Sequence, residues 1–484
     1  MPSNIEEIQH DAAALHRFID SIASGCRVAE GYPSYTEASD AFFNYILLLA
    51  EETKAFLAQF VKNLDPQLAV DDPQDFCGRT QIIRNLRLNW FELHELVKPA
   101  LDADTLHVPC PLVNALTSRL RMIKRFEKVR FAVLHTNYLN YFQIGARSMR
   151  ELATEIKGIV PHAPSFPKNL GIIAHPYSQS SSIFLNFALA HEMGHFAFQE
   201  GGKASKIRPA IVKALKMSLK AVKASTPGLK LGLRDPVWCR DQVLKWCEEI
   251  YCDLFALWLI GPCFSFSFIE LFGLSRLSPS VTAASDSLPP IAKAASFTDS
   301  HPAMAFRIGE HVRFLKSKEL GWWEEINEKA KDGSQQRTSH YLTVMAEAEG
   351  LPKDTFKFQS QSKAPLAPVI LETFLLVVGE VSRAVKETFA GVPSETGSFR
   401  HQRSVIEKYL SFGVVPSRLV FPDGKDQPPN IVALLNAANL FYLERLDLLI
   451  ANIDGGQSDC LECRALWAER VEMWTSKALE DIAG

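Results

Sequence analysis

Hydrophobic positions along the chain recur mostly at helical spacing. Ile5, Ile8, Leu15, Phe18, Ile19 and Ile22 fall three and four residues apart, which puts them on one face of a helix. Phe42, Phe43, Ile46, Leu47, Ala50, Phe56, Leu57 and Phe60 repeat the pattern, as do Ile82, Ile83, Leu86, Trp90, Leu93 and Val97. Breaks fall at Gly31-Tyr32-Pro33, Asp72-Pro73 and Pro109 to Pro111, where turn residues interrupt any helix. Residues 1–125 therefore predict a helical N-terminal domain, a scaffold or recognition unit without evident chemistry.

The pattern changes near Lys128. Val129 to His135 and Tyr138 to Ile144 are rich in β-branched and aromatic residues on either side of Thr136-Asn137, which predicts a hairpin. Met149 to Val160 reads as a short helix and Leu170 to His175 as another strand. A small sheet there offers an edge to which an extended substrate can add as a strand. Helical periods return in Phe184 to Phe198, Asp235 to Ile260, Pro302 to Glu319, Val369 to Phe389 and Ile431 to Ile450. Residues 276–300, rich in Ser, Ala, Pro and Thr, predict a loop that can act as a lid. Leu351 to Pro368 reads as a linker.

Composition narrows the class. The chain has 484 residues, 47% hydrophobic and 22% charged, with a formal net charge of −3. That balance gives no global attraction to nucleic acid or to an anionic membrane. Nine scattered cysteines suggest no disulfide framework and fit a reducing, cytoplasmic compartment. Met1 to Asp11 is polar, so no secretory signal is expected. The apolar run Leu254 to Ile269 contains Gly261-Pro262 and two serines, and Pro365 to Val385 is broken by Glu372 and Glu380. Both predict buried helices and no transmembrane segment. One segment departs from neutrality: residues 201–234 hold nine Lys or Arg and no Asp or Glu. Ile207, Ile211, Leu215, Leu219 and Val222 form an apolar stripe there, with Lys213, Lys216, Lys220 and Lys223 off it. This predicts a solvated amphipathic helix packed on the core, or a patch for an acidic partner (over residues 203–234), nucleic acid or a membrane surface. Without interleaved aromatics, nucleic acid is not the expected partner.

The candidate chemistry lies at His191-Glu192-Met193-Gly194-His195. On a helix, residues four apart share a face, so His191 and His195 can offer two imidazoles to one metal ion. Glu192 lies beside them and can act as general base, the arrangement that zinc-assisted hydrolysis uses. Gly194 keeps the helix thin where a bulky side chain could obstruct the metal. A third ligand is needed. Downstream, Glu248-Glu249-Ile250-Tyr251-Cys252-Asp253 lies in a largely apolar helix, where carboxylates need partners. Glu249 and Asp253 share a face: Glu249 can bind metal and Asp253 can orient a ligating imidazole. Glu248 is the competing ligand. Cys252 is either an extra ligand or an inert buried thiol. His175 and Tyr251 are weaker candidates for the site, each as readily packed core residues. Cys460-Leu461-Glu462-Cys463 is a lone C-x-x-C and weak evidence for metal or redox work.

These motifs resemble the gluzincin metallopeptidases. Glu249 to Ala256, with Leu259-Ile260-Gly261-Pro262, is similar to a run in ImmA/IrrE-type proteases. His301-Pro302-Ala303-Met304-Ala305-Phe306-Arg307-Ile308 is similar to a motif of HtpX-like and CAAX-prenyl-protease-like enzymes, whose motif order this chain shares. The resemblance covers roughly residues 126–320. Cys252 stands where the family usually has Ala, and the flanking transmembrane helices of HtpX-like enzymes are missing. The resemblance implies that His301 or Arg307 either stabilises a developing oxyanion or orients Glu249. Arg307 can equally pair with a carboxylate to hold helices together, and His301 can be a plain helix-start residue.

The expected fold is α+β and predominantly helical. A zincin-like core with the basic insert spans 126–320, between helical domains at 1–125 and 321–484. The expected function is zinc-dependent hydrolysis of a peptide or protein substrate. Zn²⁺ is held by His191, His195 and Glu249, with Glu192 as base. The alternatives are a zinc-stabilised or vestigial interaction protein, and metal-dependent hydrolysis of a non-peptide bond.

Overall fold

The computed structural model describes residues 4–30, 37–64, 73–101, 109–136, 142–144, 146–176, 182–225, 232, 234–272, 290–330, 336–358, 366–454 and 461–483. In chain order the helices that matter below are α1 (Asn4–Glu30), α2 (Glu37–Lys62), α3 (Pro73–Leu101), α4 (Cys110–Arg121), α5 (Ala146–Ile159), α6 (Ala188–Glu200), α7 (Lys203–Ser225), α8 (Asp235–Ile260), α9 (Cys263–Leu271), α10 (Met304–Leu315), α11 (Trp322–Ala330), α12 (Gln336–Gly350), α13 (Ala367–Thr388), α14 (Thr396–Ser411), α15 (Ile431–Glu444), α16 (Leu446–Asp454) and α17 (Leu461–Ala483). The strands β1 (Arg130–Thr136), β2 (Phe142–Ile144) and β3 (Leu170–Pro176) make one sheet. The described residues are thus predominantly helical α+β. None of their helices is long and apolar enough to cross a membrane.

The chain packs as two compact units, residues 1–110 with 128–181, and residues 111–127 with 182–484. These divisions fall at different residues from the boundaries near 125 and 320 read from the sequence. In the first unit, α1 packs on α2 and α3, joining the apolar stripes of all three, so that Ile19, Phe42, Phe43, Leu86 and Trp90 are buried. The sheet corrects the expected hairpin. β3 lies between β1 and β2, parallel to β1 (Arg130 opposite Leu170) and antiparallel to β2 (Phe142 opposite Ala174). Phe131 to Leu134 are all buried. A strand apolar on both faces can take a central or covered position, and α2 packs against β1. The proposed turn residues beyond Thr136 lie outside the described residues.

The second unit is organised on α8. From Ile250 to Ile260 every residue is buried, so this helix is apolar all round and needs neighbours on all sides. It has them: α6, α7, α9, α10, α13 and α15 pack on it. Its C-terminus is fixed by Gly261 at φ +78°, the left-handed conformation that glycine adopts freely. A Cβ there would meet Asn436 Nδ2 at 2.8 Å. Asn436 donates to Ile260 O at 2.7 Å and accepts from Cys263 N at 2.9 Å, so its side chain satisfies backbone groups at the α8–α9 junction that would otherwise be orphaned. Helix α7 is the amphipathic helix expected of the basic insert. Ile207, Ile211 and Leu215 are buried, Lys213, Lys216, Lys220 and Lys223 are exposed, and the helix packs on α13 and α8. Residues 276–289 of the proposed lid lie outside the described residues, as do Cys460 and the side chains of Cys463 and His175.

Candidate metal centre

The two histidines sit on α6, preceded by a tight 3-10 turn at Leu185–Phe187, where the sequence suggested continuous helix. Helix α6 lies directly against α8, and Gly194 is the reason they come so close. A Cβ on Gly194 would meet Cys252 Cα at 2.8 Å and Cys252 O at 3.2 Å. The glycine thus makes room for the neighbouring backbone, a different cause from the obstruction of a metal inferred from sequence.

This approach brings the carboxylates of α8 to the imidazoles of α6. His191 Nδ1 lies 2.8 Å from Asp253 Oδ1, and His195 Nδ1 lies 3.1 Å from Glu248 Oε1. A carboxylate only accepts, so each ring carries its proton on Nδ1 in the neutral form and keeps a lone pair on Nε2. Both Nε2 atoms face one carboxylate: His191 Nε2 is 3.6 Å from Glu249 Oε2, and His195 Nε2 is 3.6 Å from Glu249 Oε1. Donors held at about 2.0–2.1 Å around a tetrahedral ion stand roughly 3.4 Å apart; each imidazole lies near that distance from a Glu249 oxygen, but the two oxygens are different ones. Donor atoms of His191, His195 and Cys252 also lie within 4.8 Å of one another. This group can hold a metal ion. The two donor sets share both histidines and differ in the third member.

A second layer holds the first. Arg307, on α10, donates to Asp253 through Nε and Nη2, both at 2.7 Å, and its Nη1 is 3.3 Å from Glu249 Oε2. Its guanidinium lies 4.8 Å from the centroid of the Phe268 ring. Asp253 is wholly buried and Arg307 is 3% exposed, so neither charge could stand without the other. His311, one helical turn beyond Arg307, places Nε2 3.3 Å from Asp253 Oδ2, and its Nδ1 is 3.2 Å from Ser265 Oγ. His301 is half-exposed on the rim, with Nε2 4.0 Å from Glu249 Oε2 and Nδ1 2.8 Å from Ser300 Oγ. Glu192 is 8% exposed. Among the described residues its carboxylate makes no hydrogen bond or ion pair.

The electrostatics describe a nest that attracts cations. Burial pulls the His195 imidazole down, but the hydrogen bond to Glu248 and the charges of Glu192 and Glu249 outweigh it and carry it to about 9. Burial pushes the Glu249 carboxyl up, and Arg307 with the three nearby histidines brings it below its usual value. Asp253 follows the same pattern: burial opposes its charge, while Arg307, His191 and His311 hold it well below the ordinary range. Burial pushes the Cys252 thiol far up, and the carboxylates around it add to that, so it disfavours the thiolate that a metal ligand requires. Burial also lowers His301 and His311, keeping both neutral.

Of the residues named from the sequence, His191, Glu192, His195, Glu249, Asp253, His301 and Arg307 lie close to one another. Glu248, considered there as a ligand, instead holds the Nδ1 side of His195. Tyr251 points elsewhere, bonding Thr388 Oγ1 at 2.8 Å. His311 was missed. Its signal was its spacing four residues from Arg307, which places both on one helix face. No protein-family model, curated protein or solved structure matches the chain. What the cluster can do must be argued from its geometry.

Proposed function

We propose that this protein is a zinc-dependent metallopeptidase with a zincin-like metal centre. The observation that carries the reading is the paired arrangement of the histidines. Each Nδ1 rests on its own carboxylate, while the two Nε2 atoms stand 3.6 Å from opposite oxygens of Glu249. His191, His195 and Glu249 are the residues that would hold the ion, with borderline donors suited to zinc. Zinc in such a site supplies a Lewis acid for the scissile carbonyl and lowers the pKa of water toward neutrality.

The remaining work falls to this chain's own side chains. Glu192, desolvated and unpaired, takes a proton from the attacking water and returns it to the leaving amine. Asp253 and Glu248 fix the tautomers of His191 and His195 and keep the rings aimed. Arg307 neutralises Asp253 and steadies Glu249. His301, half-exposed 4.0 Å from Glu249, is placed at the rim to donate a hydrogen bond to a carbonyl oxygen that gains charge. The substrate class is a peptide or protein.

The second reading follows from Cys252. A His191–His195–Cys252 group would hold the ion without Glu249, and the second reading is that this site is structural and does not hydrolyse. Three variants separate them. Under the peptidase reading, Glu249→Ala loses most of its zinc while Cys252→Ala keeps it, and Glu192→Gln keeps zinc but hydrolyses a quenched peptide library at least ~10²-fold more slowly. Elemental analysis and the fluorescent assay give both readouts. Zinc retained by Glu249→Ala and lost by Cys252→Ala would establish the structural site instead.

A further inference from the structure

A second feature of the same unit is unexplained by metal chemistry. A cavity of about 190 Å³ lies between the turn that leads into α6, helix α9, the start of α12 and helix α15. Its apolar walls include Phe184, Phe266 and Leu443, and Phe184 packs against the Tyr442 ring with centroids 4.9 Å apart. Four polar side chains line it as well: Glu270, Arg337, Asn439 and Tyr442. Among the described residues none of the four makes a hydrogen bond or ion pair. Asn439 is 3% exposed and its Oδ1 is buried without a partner. A buried amide left in that state costs on the order of 1–3 kcal/mol, so native structures rarely keep one without a purpose. By contrast Ser267, on the same wall, is satisfied by the Phe184 carbonyl, and Ser182 by Glu472.

One free cation, one free anion, an unused amide and aromatic walls around a small cavity are complementary to a zwitterion with an apolar body. Binding sites commonly combine apolar lining with a few convergent polar groups. This cavity is smaller than those that take drug-sized molecules, which limits the ligand to one or two residues' worth of atoms. We infer that the cavity binds a free α-amino acid with an apolar side chain. Arg337 receives its carboxylate, Glu270 its ammonium group, the Asn439 amide bonds either end, and Phe184, Phe266 and Leu443 enclose the side chain. The cavity shares two elements with the metal centre. The turn at Leu185–Phe187 runs straight into α6, and α9 also carries Phe264, whose ring stacks on His191 with an interplanar angle of 8°. An occupant here would order the entry to the histidine helix. The inference does not depend on hydrolysis, and its test does not use it.

The test is calorimetric titration of the full-length protein with L-leucine, L-methionine and L-phenylalanine. Leucinol lacks the carboxylate and 4-methylpentanoate lacks the ammonium group, so both serve as matched controls. Glu270→Ala and Arg337→Ala remove exposed, unpartnered side chains, and circular dichroism checks that each variant keeps its fold. The expected result is saturable one-site binding of at least one amino acid. Both controls and both variants should bind roughly tenfold or more weakly, the scale of a lost charged hydrogen bond. No saturable binding of any of the three amino acids would overturn the inference. So would controls that match leucine, or variants that bind as tightly as the unaltered chain.

Discussion

Removing Arg307 should expose how much of the candidate metal centre depends on one buried cation. In Arg307→Ala, Asp253 loses two hydrogen bonds of 2.7 Å while remaining wholly buried. Breaking a buried pair from one side typically costs about 3–5 kcal/mol, because the other charge is stranded. Loss of the contact over the Phe268 ring adds on the order of 0.5–2 kcal/mol. Against this, Asp253 keeps His191 at 2.8 Å and His311 at 3.3 Å, which places the net loss near ~3 kcal/mol. The pH dependence gives a sharper test. With Arg307 present, the Asp253 carboxyl titrates well below 3.8 in the folded chain. Its contribution to stability is therefore present above that value and is lost only as pH falls through the folded pKa. Without Arg307, burial acts with less opposition and the folded pKa rises above the unfolded one. The sign then reverses: ionising Asp253 costs stability as pH rises. Urea unfolding of both proteins at several pH values between about 4 and 8 should show a gap that widens with pH. Arg307→Lys keeps the charge but not the fork, and should lose less. A loss below ~1 kcal/mol, or a gap that does not change with pH, would refute the reasoning.

Gly194→Ala should lower the melting temperature and weaken zinc retention together. Its Cβ would sit 2.8 Å from a backbone atom of Cys252, an overpacking cost of ~1–3 kcal/mol, offset by at most ~1 kcal/mol of helix propensity. An alanine variant with unchanged melting temperature and zinc content would mean the helices can part freely. Glu472 gives an independent pH signature. It accepts from Ile183 N at 2.5 Å and from Ser182 Oγ at 3.2 Å, yet burial pushes its carboxyl from 4.5 to about 7. A raised acid stabilises the fold below its unfolded pKa, and that contribution is lost as pH climbs through about 7, by roughly 3 kcal/mol at most. Glu472→Gln should flatten the stability profile between about pH 5 and 8, and an unchanged slope in urea titrations would count against it.

Much of the second unit was legible along the chain. The helices of the candidate metal centre, their approximate ends and the shared faces of His191 with His195 and of Glu249 with Asp253 all follow from a period of 3.6 residues. Gly261 after a long apolar run marked the end of α8, because positive φ is a local property of backbone sterics. Helical phase favoured Glu249 over Glu248, yet it could not say that Glu248 would hold the other side of His195. That depends on how α8 is rotated against α6, which the contact between Gly194 and Cys252 sets. The strands were legible as strands, but not their partners. Pairing in a sheet depends on which chain segments meet, and β3 came between the two that adjacency suggested.

By itself, then, the sequence determined the local quantities: which segments are helical, which side chains share a face, and which residue types could serve a metal and a base. These are fixed by nearest-neighbour sterics and by burial of apolar stripes. Only the tertiary structure decided what faces what across separate elements. It placed Arg307 and His311 on Asp253, put Cys252 within reach of both histidines, and gathered Glu270, Arg337 and Asn439 around one cavity. Such encounters join residues as far as 290 positions apart, as Ser182 and Glu472 are. They come from packing between surfaces, for which no short-range pattern in the chain exists.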